Sequence, residues 1–164
     1  MSPLKMAAAQ PSIVYRPAQA SDEAAIKALI RAVNINPMGL KWPRFLVAVA
    51  ENGELIGCGQ IKSHRDGSRE LASIAVQRAW RRQGIAAEII HRLLADEPPP
   101  VWLTCMDRLV PFYQQFGFVE VKGGDGRSLP LYFRFIRTIF KPIQKLSRIP
   151  GYLAIMVWPN EIGH

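Results

Sequence analysis

The sequence predicts a mixed α/β fold of the α+β kind, one mostly antiparallel central sheet flanked by helices. Three observations predict it. Two apolar runs flank Asn52-Gly53 in "RFLVAVAENGELIGCGQIKS", a strong hairpin signal. A second turn, "HRDGSR", leads into "ELASIAVQ" and extends the meander. A helical stretch then separates "ELASIAV" from the compact apolar run "VWLTCM", an order that suggests a parallel crossover.

The elements follow in order. Residues 13–16, "IVYR", read as a short strand. In "ASDEAAIKALIRAVNIN" Ser21 is the expected cap, Asp22 and Glu23 sit in the first turn, and Ile26, Leu29, Ile30 and Val33 form a helical stripe. "PMGLKWP" breaks that pattern. After the meander a helix is predicted over 84–95, stopped by "DEPPP". "DRLVPFYQQFGF" predicts a short helix with Pro111 near its first turn, ended by Gly117, and "FVEV" begins a strand. "KGGDGRS" is a loop. "LPLYFRFIRTIFKPIQKLSR" reads as helical on both sides of Pro142, expected over 129–147, and "GYLAIMVW" is a final strand.

The length of 164 residues suits a single domain over 1–164. Residues 1–12 read as a loose tail, and 122–150 as an inserted loop and basic amphipathic helix before the last strand. A hydrophobic fraction of 49% with 21% charged residues is that of a soluble globular protein. No apolar run reaches the ~20 residues of a membrane span, and the start lacks the apolar segment of a secretory signal, so a cytoplasmic location is expected. Cys58 and Cys105 fall in predicted strands and read as buried free thiols of a reducing compartment. With His64, His91 and His164 they show no metal-ligand spacing. The net charge of +8 favours anionic partners: nucleic acid, phosphorylated cofactors, acidic proteins or an anionic membrane surface.

"RRQGIA" at 81–86 stands between a strand and a helix. A helix N-terminus leaves backbone N–H groups unpaired and carries partial positive charge, which suits a phosphate. Gly84 removes a side chain at the point of approach, Ala86 keeps the next one small, and Arg78, Arg81 and Arg82 add charge. Taken alone, the turn is equally an ordinary helix start with a solvated basic face.

The wider run "ELASIAVQRAWRRQGIAAEIIHRLL", followed by "FYQQFGFVEV", resembles the GNAT superfamily of N-acetyltransferases. Arg81-x-x-Gly84-x-Ala86 matches that family's Arg/Gln-x-x-Gly-x-Gly/Ala pattern, and Phe112, Tyr113, Gly117 and Phe118 match a later Phe-Tyr-x-x-x-Gly-Phe pattern. The resemblance covers residues 13–121 and "GYLAIMVW". It implies an acyl-CoA N-acyltransferase fold with a splayed parallel strand pair. It also implies that backbone N–H groups of Arg81, Arg82, Gln83, Gly84, Ile85 and Ala86 cradle the pyrophosphate of acetyl-CoA. Ile74, Ala75 and Val76 then pair with its pantetheine arm. The acceptor implied is a primary amine of a small molecule or a protein, attacking directly in a ternary complex with no metal.

Such transfer needs a neutral amine, a polarised thioester carbonyl and a proton for the departing thiolate. By the resemblance, Tyr113 is the acid, the Val76 N–H polarises the carbonyl and Glu70 is the base. Glu70 lies six residues before Val76, so strand alternation is expected to turn both to one face. The residues alone leave other roles open. Tyr113 also reads as a core aromatic and Glu70 as a surface glutamate. His64 with Asp66 reads first as a turn and second as an alternative base. Asp107 reads as a helix cap or an acceptor-orienting group, Cys105 as packing and His91 as a helix-surface residue.

In the segment 129–147, Arg134, Arg137, Lys141 and Lys145, continued by Arg148, recur every three or four residues beside a broad apolar face. Three readings stand side by side: a helix packed on the sheet, a lid over the acceptor entrance, or an interfacial helix for anionic membrane or nucleic acid. As a lid it is expected to turn Tyr132, Phe133 or Ile136 inward and leave Arg134, Arg137 and Lys141 outside. Two further classes compete with the enzyme: a non-catalytic acyl-CoA-binding regulatory module, and a basic surface-binding protein. The basic charge disfavours polyamine acceptors. The oligomeric state is open, a dimer included.

Overall fold

The computed structural model describes residues 11–123, 128–147 and 150–159. The tail at 1–10, part of the loop at 124–127, and Arg148 lie outside the described residues. Among the described residues seven strands form one sheet in the order β1-β2-β3-β4-β5-β7-β6. They are β1 (Ile13–Pro17), β2 (Phe45–Ala50), β3 (Leu55–Ser63), β4 (Arg69–Val76), β5 (Val101–Met106), β6 (Val119–Glu120) and β7 (Leu153–Trp158). Every neighbouring pair is antiparallel except β4 with β5. Both predicted turns close the meander. Ala50 N–H donates to Glu54 O and Glu54 N–H to Asn52 Oδ1, while His64 N–H donates to Ser68 O.

Among the described residues four helices cover the two faces: α1 (Glu23–Ala32), α2 (Ile85–Ala95), α3 (Val110–Gln114) and α4 (Leu131–Leu146). On one face Ile26, Leu29 and Ile30 of α1 pack against Phe45, Val47, Cys58 and Ala75. On the other, Ile85 and Ile89 of α2 meet Ala48, Ile56 and Val76, and Ile90 and Leu94 join Leu71, Leu103 and Val110. Alternation along β5 separates Val101, Leu103 and Cys105 on the α2 side from Trp102, which packs with Phe133 of α4 and Ile155. So α4 lies on the α1 side, over β5 and β7.

Gly59 of β3 sets how closely α2 approaches. A Cβ there would stand 2.6 Å from Ile74 Cδ1 and 2.8 Å from Ile89 Cγ2. Gly59→Ala is therefore expected to cost about 1–3 kcal/mol by overpacking, read as a lowered melting temperature.

Several local expectations are corrected. Ser21 does not cap α1. Residues Ala20–Asp22 form a 3-10 turn, and the Asp22 carboxylate takes the Gln19 N–H at 2.7 Å and the Arg16 guanidinium at 2.7 and 3.1 Å. The bonds from Arg16 hold that carboxyl below its usual range. α1 ends at Ala32, not beyond. Asp107 makes no capping bond. It opens a 3-10 turn with its carboxylate against Gly151. As expected, α4 is helical on both sides of Pro142.

Candidate functional site

The site begins with an irregularity in β4. Cys58 pairs with Ala75 and Gln60 with Ala72, so β4 holds one residue more than β3 between these pairs. Ser73 carries a left-handed φ of 58°, and its hydroxyl meets Gln60 Nε2 at 2.9 Å. This bulge shifts the alternation of β4 by one residue. Val76 packs toward α2 with Ile85 and Ile89, whereas Glu70 faces His64 on the α4 side. The expectation that six residues of separation put Glu70 and Val76 on one face is thus overturned by the added residue.

Beyond the bulge, Gln77 N–H donates to Ile56 O at 2.8 Å. Alternation then points the Val76 N–H away from β3, toward β5. There the parallel ladder holds a single pair, Glu70 with Trp102, at the start of both strands. No further pair joins β4 to β5 past that point, so the Val76 edge has no ladder partner on that side. Ala75 packs toward α1, and the Ile74 side chain packs beside Leu93 of α2.

The turn after β4 is held in shape. Gln77 Nε2 donates to Leu55 O at 2.8 Å, and Arg81 Nε donates to Val76 O at 3.3 Å. Arg82 and Gly84 adopt left-handed φ values of 62° and 79°. Gly84 is the N-cap residue of α2, and the first bond into the helix runs from Glu88 N–H to Gly84 O. The N–H groups of Ile85, Ala86 and Ala87 precede it and have no partner within the helix. A Cβ on Gly84 would meet nothing within 4 Å. Arg81, Arg82, Gln83 and Gly84 are exposed, Ile85 is buried and Ala86 is half-buried. These residues fit a pyrophosphate: free donors, open space and adjacent cations. A cleft of about 930 Å³, lined by Leu29, Val33, Gln77, Arg78 and Arg81, runs from this turn along α1. Neither Glu70 nor Tyr113 lines it.

Tyr113, on α3, packs edge-on to Phe112 and Phe118. Burial, then the nearby Cys105, pushes its phenol well above the ordinary range, so it keeps its proton at neutral pH. Cys58 and Cys105 are free and buried. Burial pushes both thiols up to about 12, which disfavours either as a thiolate nucleophile. His91 rests edge-on against Phe116.

On the opposite face a cluster surrounds Glu70. The buried Glu70 carboxylate lies 2.7 Å from His64 Nε2. Tyr132 stacks on His64 with centroids 3.5 Å apart and planes 14° apart. Burial, the charge of Glu70 and a hydrogen bond to it raise the Tyr132 phenol to about 12. Asp66, in the turn before β4, accepts the Tyr132 N–H at 2.9 Å and so caps α4. Phe133, fully buried, seats the helix on Trp102. As expected, Arg134 and Lys141 stay outside, with Arg137 half-buried. The sequence offered no sign of Ser73 as a bulge. Tyr132 was expected to turn inward, but its partners were not, because they come from a turn 66 residues earlier.

Burial works against the Asp66 charge, but bonds from Ser68 and Tyr132 outweigh it and hold the carboxyl at about 2. A depressed carboxyl contributes stability above its unfolded pKa of about 3.9 and loses it as pH falls through the folded value. Asp66→Asn is expected to abolish that acid dependence and loosen α4. Amide hydrogen exchange at the first turn of α4, followed between neutral pH and the acid limb, checks this.

Residues 41–120 match the family described as acetyltransferase (GNAT) domain. Among solved structures, Mycobacterium tuberculosis Rv2747 in complex with CoA is 22% identical at a TM-score of 0.66, covering 87% of this chain and 97% of that one. N-acetylglutamate synthase from Neisseria gonorrhoeae, complexed with coenzyme A and N-acetyl-glutamate, gives 17% and 0.64; the match covers 90% of this chain but only 35% of the synthase. Diaminobutyrate acetyltransferase from Paenibacillus lautus, in complex with L-2,4-diaminobutyric acid and coenzyme A, gives 18% and 0.60, covering 94% and 100%. These likenesses show a shared fold. Together with the family match, which spans the basic turn and the Phe112–Phe118 motif, they place a GNAT acetyltransferase domain at residues 41–120 of the chain.

Proposed function

We propose that the chain is one domain that transfers the acetyl group of acetyl-CoA to a primary amine, by direct attack in a ternary complex. The observation that carries this is the β4–β5 ladder that ends after one pair, followed by the free N-terminus of α2 after the turn from β4. The turn 81–86 holds the pyrophosphate. Residues 74–76 hold the pantetheine arm, and the Val76 N–H donates to the thioester carbonyl oxygen as charge grows there. The acceptor nitrogen bonds to the carbonyl carbon, the C–S bond breaks, and Tyr113 gives its proton to the leaving sulfur. The nitrogen's surplus proton passes to Glu70 through His64, its 2.7 Å partner. Tyr113 and Glu70 lie on opposite faces of the sheet, which suits a donor entering from one side and an acceptor from the other. Among the described residues no helix is long and apolar enough to cross a membrane; with two free buried thiols, a cytoplasmic setting is the proposed one.

The test is thiol release from acetyl-CoA across a panel of amino acids, amino-terminal and lysyl peptides, and polyamines. Release above hydrolysis with at least one primary amine is expected. Coenzyme A binding with no release across the panel overturns the enzyme reading in favour of a regulatory module.

A further inference from the structure

Helix α4 buries only one of its apolar sides. Phe133 is fully buried, but Leu131, Phe135 and Leu146 are 66%, 62% and 85% exposed, with Ile139 and Ile143 also open to solvent. At ~100° per residue these five fall on one flank of the outward side, within an arc of roughly 120°. Arg134, Arg137, Lys141 and Lys145 occupy the other flank. No acidic residue occurs from 126 to 160, so nothing on the helix neutralises that row. Beside it, a cleft of about 390 Å³ is lined by Lys122, Arg137, Lys141, Gln144 and Tyr152, with Glu120 at its wall. The Glu120 carboxylate is engaged, taking the Tyr152 hydroxyl at 2.7 Å and Lys122 at 3.5 Å.

We propose that α4 docks the protein on an anionic lipid bilayer. The stripe enters the headgroup layer, the basic row lies on lipid phosphates, and the cleft takes a headgroup at the row's edge. Three observations select this occupant. The stripe and the basic row are parallel and adjacent, the pattern of a helix lying in a membrane interface. A second copy would set one uncompensated basic row against another, in a chain of net charge +8. Nucleic acid would satisfy the cations but leave Phe135 and Leu146 in water. Sixteen residues are too few to span a bilayer, which needs about 20, so the helix lies flat. Its docking on the sheet through Tyr132 and Phe133 is untouched, and no unfolding is needed.

The full chain is floated with vesicles of phosphatidylcholine alone and of equal parts phosphatidylcholine and phosphatidylglycerol. Binding only to the anionic vesicles, weakened by added salt, is expected. Phe135→Ser with Leu146→Ser, and separately Arg134→Gln with Lys141→Gln, should each lower the partition coefficient by about tenfold or more. All four side chains point outward, and matched thermal melts confirm that folding is unchanged. Equal partition onto neutral vesicles, or partition indifferent to the apolar pair, overturns the proposal. Self-association that the Phe135→Ser, Leu146→Ser pair disperses, without vesicle binding, assigns the face to a second copy instead. Binding to duplex DNA or RNA that ignores that pair, without vesicle binding, assigns the basic row to nucleic acid.

Discussion

Tyr113→Phe is expected to lower kcat by about 10² to 10⁴ while leaving coenzyme A affinity nearly unchanged. The change removes one hydroxyl and keeps the ring, so the edge-on contacts with Phe112 and Phe118 survive. What goes is the hydroxyl proposed to protonate the departing sulfur. The phenol is suited to that task because burial keeps it protonated well beyond neutral pH. It regains a proton readily once the thiol has left. Single-turnover rates with a cognate amine, where chemistry limits, isolate the effect. An unchanged rate returns Tyr113 to the role of a core aromatic.

The second large effect lies at the turn. Gly84→Asp is expected to abolish coenzyme A binding in calorimetry. The aspartate brings negative charge to the N-terminus of α2, where the proposed site sets the donors of Ile85, Ala86 and Ala87 against the pyrophosphate. It also occupies the space that is now open within 4 Å of an added Cβ. Gly84→Ala separates the two causes. It introduces the strain of a non-glycine residue at φ 79°, of order 1 kcal/mol, with no charge, and should weaken binding only mildly. Equal affinity in wild type and Gly84→Asp removes the turn from the cofactor site.

The elements were legible where local chemistry decides them. Asn52-Gly53 and the "HRDG" turn fix the meander. The apolar run of β5 after a helix implies the parallel step, and Pro111 falls in the first turn of α3. The turn at 81–86 could be placed from Gly84, since a left-handed residue opening a helix favours glycine. What escaped depends on distant partners. Ser73 takes a left-handed φ with no sequence signal for it, and that one residue reverses the side to which Glu70 points relative to Val76. The join of Glu70, His64 and Tyr132 needs Asp66 to capture the first turn of α4. The amphipathic pattern of α4 was plain, but periodicity does not say which part of a wide apolar arc meets the sheet. Of Tyr132, Phe133 and Ile136, the residues expected inward, Phe133 alone goes fully under.

The most direct test of the whole account is a crystal structure of the chain grown with coenzyme A. The pyrophosphate should lie within hydrogen-bond distance of the Ile85, Ala86 and Ala87 N–H groups. The pantetheine arm should pair with the Val76 edge of β4, and the sulfur should sit beside the Tyr113 hydroxyl. Coenzyme A bound along another surface, or β4 and β5 closed into a continuous ladder with no room between them, would contradict it.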